Sequence, residues 1–112
     1  MSALLDNPAI TPEILEEVVR RILTVGAPLR IVLYGSQARG EAHAGSDLDI
    51  LVVEDSDLPR YKRAPRYLRA LAGVFPAKDV VVWTPQEIEA WLEVPNAFIT
   101  TVLREGKTLY AR

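Results

Sequence analysis

Three short apolar runs, separated by stretches with helical periodicity, organise this chain. Residues 29–34, 47–53 and 78–83 predict three β-strands, because β-branched and other apolar residues predominate in them and Gly35 ends the first. Around these runs, apolar positions recur every three or four residues, which is typical of helices that bury one face. Helices and strands therefore fill the chain, and we expect one domain over residues 1–112.

Helix boundaries are marked by capping residues, prolines and glycines. In the clearest case, Thr84 and Glu87 form a capping box with Pro85 at the first helical position, so the third strand passes directly into a helix. Similar residues mark the ends of the other helices. The predicted longer helices cover residues 12–25, 65–74, 85–94 and 98–105.

The first strand ends in a turn suited to binding an anion. Gly35 can adopt backbone conformations that a residue with a Cβ resists, and Ser36 is a good N-cap for a short helix over residues 37–42. Free N–H groups at that helix start, with the Ser36 hydroxyl, form a candidate phosphate site. Arg39 is either a phosphate contact or a structural partner of an acid or helix-end carbonyl. His43 is interpreted as an exposed loop residue, with contact to a base or phosphate as the alternative.

Two carboxylates follow at the start of the second strand. Side chains alternate along a strand, so Asp47 and Asp49 share one face. Neighbouring carboxylates repel each other unless a cation or a proton compensates. Mg²⁺ prefers oxygen ligands and substrate phosphates, and it is the natural compensation here. Asp79, at the start of the third strand, is the expected third acid.

The topology follows from where these polar groups must meet. The anion turn ends strand one and the acids begin strand two, so these strands should be antiparallel. Asp79 begins strand three, so strands two and three should be parallel and joined by a right-handed helical crossover. We therefore expect an α+β fold with a small mixed sheet, in the order 1-2-3, flanked by helices.

These motifs resemble the minimal nucleotidyltransferase family of the DNA polymerase β superfamily. The matching segments are residues 35–40, 46–52 and 78–81, and residues 103–110 are also similar to the family. The resemblance implies a nucleotidyltransferase fold and a nucleoside triphosphate donor, most often ATP. Many family members are antitoxins that attach AMP to a tyrosine of a HEPN-domain toxin, which is an RNA-cleaving enzyme.

The resemblance also implies a role for each site residue. Asp47 and Asp49 would hold Mg²⁺ against the triphosphate, and Asp79 would complete the site for a second ion and assist deprotonation of the acceptor. Gly35 and Ser36 would hold the β- and γ-phosphates, so that pyrophosphate leaves. So short a chain offers no deep acceptor pocket, and we expect a partner protein to bring the acceptor hydroxyl.

The amino-acid composition limits the binding partners and the cell compartment that we expect for this protein. The balance of 13 basic and 15 acidic residues argues against a dedicated nucleic-acid binder. The sequence has no cysteine, secretion signal or membrane-spanning run, so we expect a cytoplasmic protein that does not bind a membrane.

One basic concentration lies between the second and third strands, interleaved with tyrosines. A solvated helix face is the favoured interpretation, with partner docking next and nucleic-acid binding last. The basic residues are Arg60, Lys62, Arg63, Arg66 and Arg69.

Two other functions stay open. A non-catalytic antitoxin subunit would bind nucleotide and silence its partner by forming a complex with it. A nucleotidyltransferase that modifies small molecules is the second alternative, but such enzymes carry an extra helical domain for the acceptor.

Overall fold

A four-stranded mixed sheet is the centre of the fold. The computed structural model describes residues 11–35, 48–73 and 78–112. In chain order the elements are α1 (Pro12–Val25), β1 (Arg30–Tyr34), β2 (Leu48–Val53), a 3-10 turn (Arg60–Lys62), α2 (Pro65–Ala70), β3 (Lys78–Trp83), α3 (Pro85–Trp91), α4 (Phe98–Glu105) and β4 (Lys107–Ala111). The predicted helix over residues 37–42 lies outside the described residues.

The strand order is β3-β2-β1-β4, so the predicted order 1-2-3 was incomplete. As predicted, β1 and β2 are antiparallel and β2 and β3 are parallel. The additional strand, β4, pairs antiparallel with the other side of β1, with a register irregularity between Ile31 and Val32. A side chain on Gly106 would overlap the Val102 carbonyl oxygen and the Val32 side chain, so glycine lets α4 turn directly into β4.

Each face of the sheet carries its own apolar core. On one face, α1 and α2 cover side chains that include Leu33, Ile50 and Val80. On the other, Val32, Leu51, Val53 and Trp83 pack against Ile99 and Val102 of α4, with Ile88 of α3 alongside. This partition follows the strand alternation, because successive side chains point to opposite faces. Trp83 is a core residue, whereas Trp91 is 46% exposed.

The helix signals in the sequence are largely confirmed. The Thr11 hydroxyl accepts a hydrogen bond from the Ile14 N–H at 3.2 Å. Both bonds of the capping box are present: the Glu87 N–H donates to Thr84 Oγ1 at 3.1 Å, and the Thr84 N–H donates to Glu87 Oε1 at 2.9 Å. Two helices are shorter than predicted, since α2 ends at Ala70 and α3 ends at Trp91.

The prediction of a solvated helix face holds for only part of the basic segment. Arg60, Lys62 and Arg69 are exposed, but Arg63 and Arg66 are held by acids. Arg63 is 7% exposed; it donates to Glu87 Oε1 at 2.7 Å and to the Leu58 carbonyl at 2.8 Å. Arg66 donates at 2.6 Å to Glu54, a buried carboxylate that also accepts from the Tyr67 hydroxyl at 2.7 Å. These arginines hold the crossover segment against the end of the sheet, because a buried charge needs a partner of opposite charge.

Candidate active site

Three side chains form a row across the strands at one end of the sheet. Tyr34 is paired in register with Asp49 across β1 and β2, and Asp49 is paired with Asp79 across β2 and β3. Directly paired residues project on the same face of a sheet. The row lies on the face of the sheet that α3 and α4 cover, since Tyr34 packs against the apolar core on that face. The mixed topology therefore brings the end of β1 and the starts of β2 and β3 together.

Gly35 places the chain turn directly against the Asp49 carboxylate. Its φ of +79° lies in the left-handed region, which residues with a Cβ rarely adopt. A Cβ built on Gly35 would also lie 2.6 Å from Asp49 Oδ2, well inside van der Waals contact. Two independent constraints, the backbone angle and the closeness of the Asp49 carboxylate, thus favour glycine here.

Tyr34 is a site residue that the motif analysis missed. Burial raises the pKa of its phenol, and the negative charges of Asp49 and Asp79 raise that pKa further. The hydroxyl is therefore neutral throughout the physiological pH range. The alternation of side chains along the strands could have identified Tyr34. It directly precedes Gly35 and pairs with Asp49, so it lies on the same face of the sheet as the acids.

An aromatic series leads from Tyr34 along the face. The Phe98 ring meets Tyr34 nearly edge-on, with ring centroids 5.5 Å apart, and stacks on Trp83 at 6.3 Å. The Arg60 guanidinium lies 4.3 Å from the centroid of the Trp83 ring. Phe98 is 48% exposed, so this series has an open side next to the row.

The structure thus brings together three of the predicted site residues, namely Gly35, Asp49 and Asp79. Ser36, Arg39, His43 and Asp47 lie outside the described residues.

The described acids fit a divalent cation by their chemistry. Asp49 and Asp79 are direct neighbours on one face, so their charges repel unless a cation or a proton lies between them. Carboxylate oxygens are the ligands that Mg²⁺ prefers. Within residues 11–35, 48–73 and 78–112, no group of three His, Cys, Asp or Glu side chains is placed to hold a metal. The described residues therefore include two of the three carboxylates that are expected to hold the cation.

An α+β fold with a mixed sheet that brings paired carboxylates to a glycine turn is the architecture of nucleotidyltransferases. The family model for the nucleotidyltransferase domain matches residues 12–104, and the chain belongs to this family. Comparison with curated proteins returned no significant match.

Two solved structures share the fold. A candidate nucleotidyltransferase from Sulfolobus solfataricus superposes with a TM-score of 0.66 at 19% identity, over 100% of this chain and 90% of that one. A toxin–antitoxin crystal structure with AMP-PNP superposes with a TM-score of 0.54 at 21% identity, over 88% of this chain and 73% of that one. In the described part of this chain, no helix is long and apolar enough to cross a membrane.

Proposed function

We propose that this chain is a Mg²⁺-dependent protein adenylyltransferase that acts as an antitoxin. It transfers AMP from ATP to a tyrosine hydroxyl of a partner HEPN toxin and releases pyrophosphate. The observation that carries this proposal is the placement of Asp49 and Asp79 side by side, with the left-handed turn at Gly35 against the Asp49 carboxylate. The family supports the reaction type, and the toxin–antitoxin structure of similar fold supports the kind of partner.

In this proposal the described acids hold the cation and the turn holds the phosphates. Asp49 and Asp79, together with Asp47, would bind Mg²⁺, and Gly35 and Ser36 would bind the β- and γ-phosphates. When bound, Mg²⁺ neutralises charge on the triphosphate and orients it for in-line displacement. Gly35 contributes by bringing the backbone close to the acids without a side chain between them.

The transfer step is a displacement at the α-phosphorus. The tyrosine oxygen forms a bond to that phosphorus, and the bond from the phosphorus to the oxygen bridging to the β-phosphate breaks. Pyrophosphate leaves with the bonding electrons, and the phenolic proton passes to Asp79. Asp79 suits this role because it is exposed and lies on β3, which is at one edge of the sheet. A phenol of pKa about 10 needs such help at neutral pH.

The decisive experiment is intact-mass analysis of the proposed partner, a HEPN protein predicted to be encoded beside this chain, after incubation with this protein, ATP and Mg²⁺. We expect a mass increase of one or more AMP units, which Asp49→Asn abolishes. Asp57→Asn is the matched control, because Asp57 is an exposed acid beyond the other end of β2 and should leave transfer unchanged.

Two results would count against the proposal. A toxin that keeps its unmodified mass but is silenced by stable complex formation would support the non-catalytic antitoxin instead. Normal transfer by the Asp49→Asn variant would overturn the assignment of Asp49.

A further inference from the structure

A groove of about 360 Å³ runs along one flank of α1, beside the edge strand β4. Its apolar walls are formed by Leu15, Val19 and Leu23 of α1 and by Leu109 of β4. The three residues of α1 are spaced four apart, so they form one stripe along the helix. The Leu23 side chain is 39% exposed and the other three residues are half-buried, so the groove leaves apolar surface open to a partner.

The strand beside this groove is the last in the order of the sheet. β4 pairs with β1 on one side, and no described strand pairs with its other side. The backbone N–H and C=O groups on that side can therefore bind another strand. Leu109 lies both on β4 and in the groove, so a partner that adds a strand here also meets the apolar flank of α1.

A second copy of this chain would satisfy the strand edge and the groove together. Antiparallel pairing of β4 with β4 of the second copy extends the sheet across a two-fold axis perpendicular to it. The two α1 helices then lie antiparallel on the same face of the sheet, and each turns its groove towards the other. A register centred on Leu109 places Lys107 opposite Ala111 of the second copy, so the two lysines do not face each other.

The charged residues of the groove are complementary under the same symmetry. Glu16 and Arg20 line the groove beside the apolar stripe, and their midpoint lies within one residue of Val19. When two such helices pack antiparallel about Val19, Glu16 of each copy comes near Arg20 of the other. Arg20 also pairs with Glu17 of its own helix, but its side chain is exposed and its guanidinium has further N–H donors.

We propose that this chain forms a two-fold symmetric dimer through β4 and the α1 groove. The acid row lies on the opposite face of the sheet from α1, and on strands further from β4, so both active sites stay open in the dimer. This interface goes beyond the proposed function, and either of them could fail without the other.

Analytical ultracentrifugation over a range of protein concentrations tests the dimer. The wild type should approach twice the 12.5 kDa mass of one chain as the concentration rises. Leu23→Glu should raise the dimer Kd on the order of tenfold or more, because it brings two carboxylates into an apolar contact. Leu68→Glu is the matched control: it makes the same change at a helical leucine that is 38% exposed and lies outside the groove, and it should leave the Kd unchanged.

Two charge variants test the orientation of the α1 helices. Glu16→Arg and Arg20→Glu each bring like charges together across the two-fold axis, so each alone should dimerise more weakly, on the order of tenfold. An equimolar mixture of the two variants should recover the dimer, because both charge pairs of the mixed dimer are then of opposite sign. Circular dichroism checks that every variant is folded, and both charge changes are at exposed positions.

The strand contact has its own measurement. Amide hydrogen exchange in β4 should be slower at protein concentrations above the dimer Kd than below it, and exchange that is independent of concentration would overturn the strand pairing.

Three further results would overturn the dimer. The first is a wild type that keeps the mass of one chain at every concentration, and the second is a dimer that Leu23→Glu leaves as tight as before. The third is a mixture of the charge variants that dimerises no better than either variant alone. None of them bears on AMP transfer, because that activity is measured by the mass of the acceptor protein.

Discussion

Replacing Gly35 with alanine tests the link between the backbone turn and the acid row. The substitution introduces a side chain at a φ of +79°, with its Cβ 2.6 Å from Asp49 Oδ2. Gly73 offers a matched control, because its φ is +82° and a Cβ there would meet no described atom within 4 Å. The two substitutions therefore share the backbone penalty and differ in the contact with Asp49.

The expected magnitudes follow from these two terms. Forcing an L-residue into the left-handed region costs about 1–2 kcal/mol, which is the whole effect expected for Gly73→Ala. At Gly35 the Asp49 carboxylate must also rotate away, and an off-rotamer side chain costs about 0.5–1.5 kcal/mol. Gly35→Ala should therefore lower the free energy of unfolding by about 1.5–3.5 kcal/mol, the sum of the two terms.

Urea unfolding followed by circular dichroism measures both variants on one scale. The double variant Gly35→Ala/Asp49→Ala completes a thermodynamic cycle, because removing the carboxylate removes the contact but leaves the backbone penalty. We expect a coupling between the two sites, and no coupling between Gly73→Ala and Asp49→Ala. Equal costs at Gly35 and Gly73, with no coupling to Asp49, would refute the close approach of the turn to the acid.

Three further predictions concern other contacts. Glu87→Gln should lower the free energy of unfolding by about 1–3 kcal/mol at pH 7, because buried Arg63 loses its charged partner. The pKa of Glu87 is lowered from 4.5 to about 2, chiefly by its hydrogen bond from Arg63, so the wild type loses this stabilisation as the pH falls through that range. Urea titrations repeated from pH 4.5 down towards 2 should therefore show the difference between the two proteins shrinking. Tyr67→Phe should lower the free energy of unfolding by about 1–2 kcal/mol, because it removes the buried hydrogen bond from the Tyr67 hydroxyl to Glu54. An unchanged urea unfolding midpoint would contradict that hydrogen bond. Asp49→Asn should leave the metal-free melting temperature unchanged or raised, because it relieves repulsion, and should reduce the stabilisation by Mg²⁺ with ATP; a much lower melting temperature without metal would mean that the acid is structural.

The parts of the fold that local chemistry encodes were predictable from the sequence. The capping box of Thr84 and Glu87 is a local signal, and both of its hydrogen bonds are present. Alternation along the strands placed Asp49 on its face, and the strand directions brought Asp79 beside it.

The missed features depend on contacts between distant segments. Residues of β4 are exposed or half-buried, so their pattern gave no strand signal, and the strand forms because β1 offers a free edge. The burial of Arg63 depends on Glu87, which is 24 residues further along the chain. A cleft beside Gly35 arises where α4 crosses the end of β1, so no single motif encodes it.

The central position of β2 in the sheet determines which opening motions expose the strand that carries Asp49. Ile50, Leu51 and Val52 are fully buried, and helices cover both faces of the strand, so their amides should exchange hydrogen with solvent only when the whole fold opens. By contrast, β4 is at an edge with exposed residues and can detach in a smaller opening. Asp49 thus lies on the central strand, and detachment of β4 alone leaves its alignment with Asp79 intact.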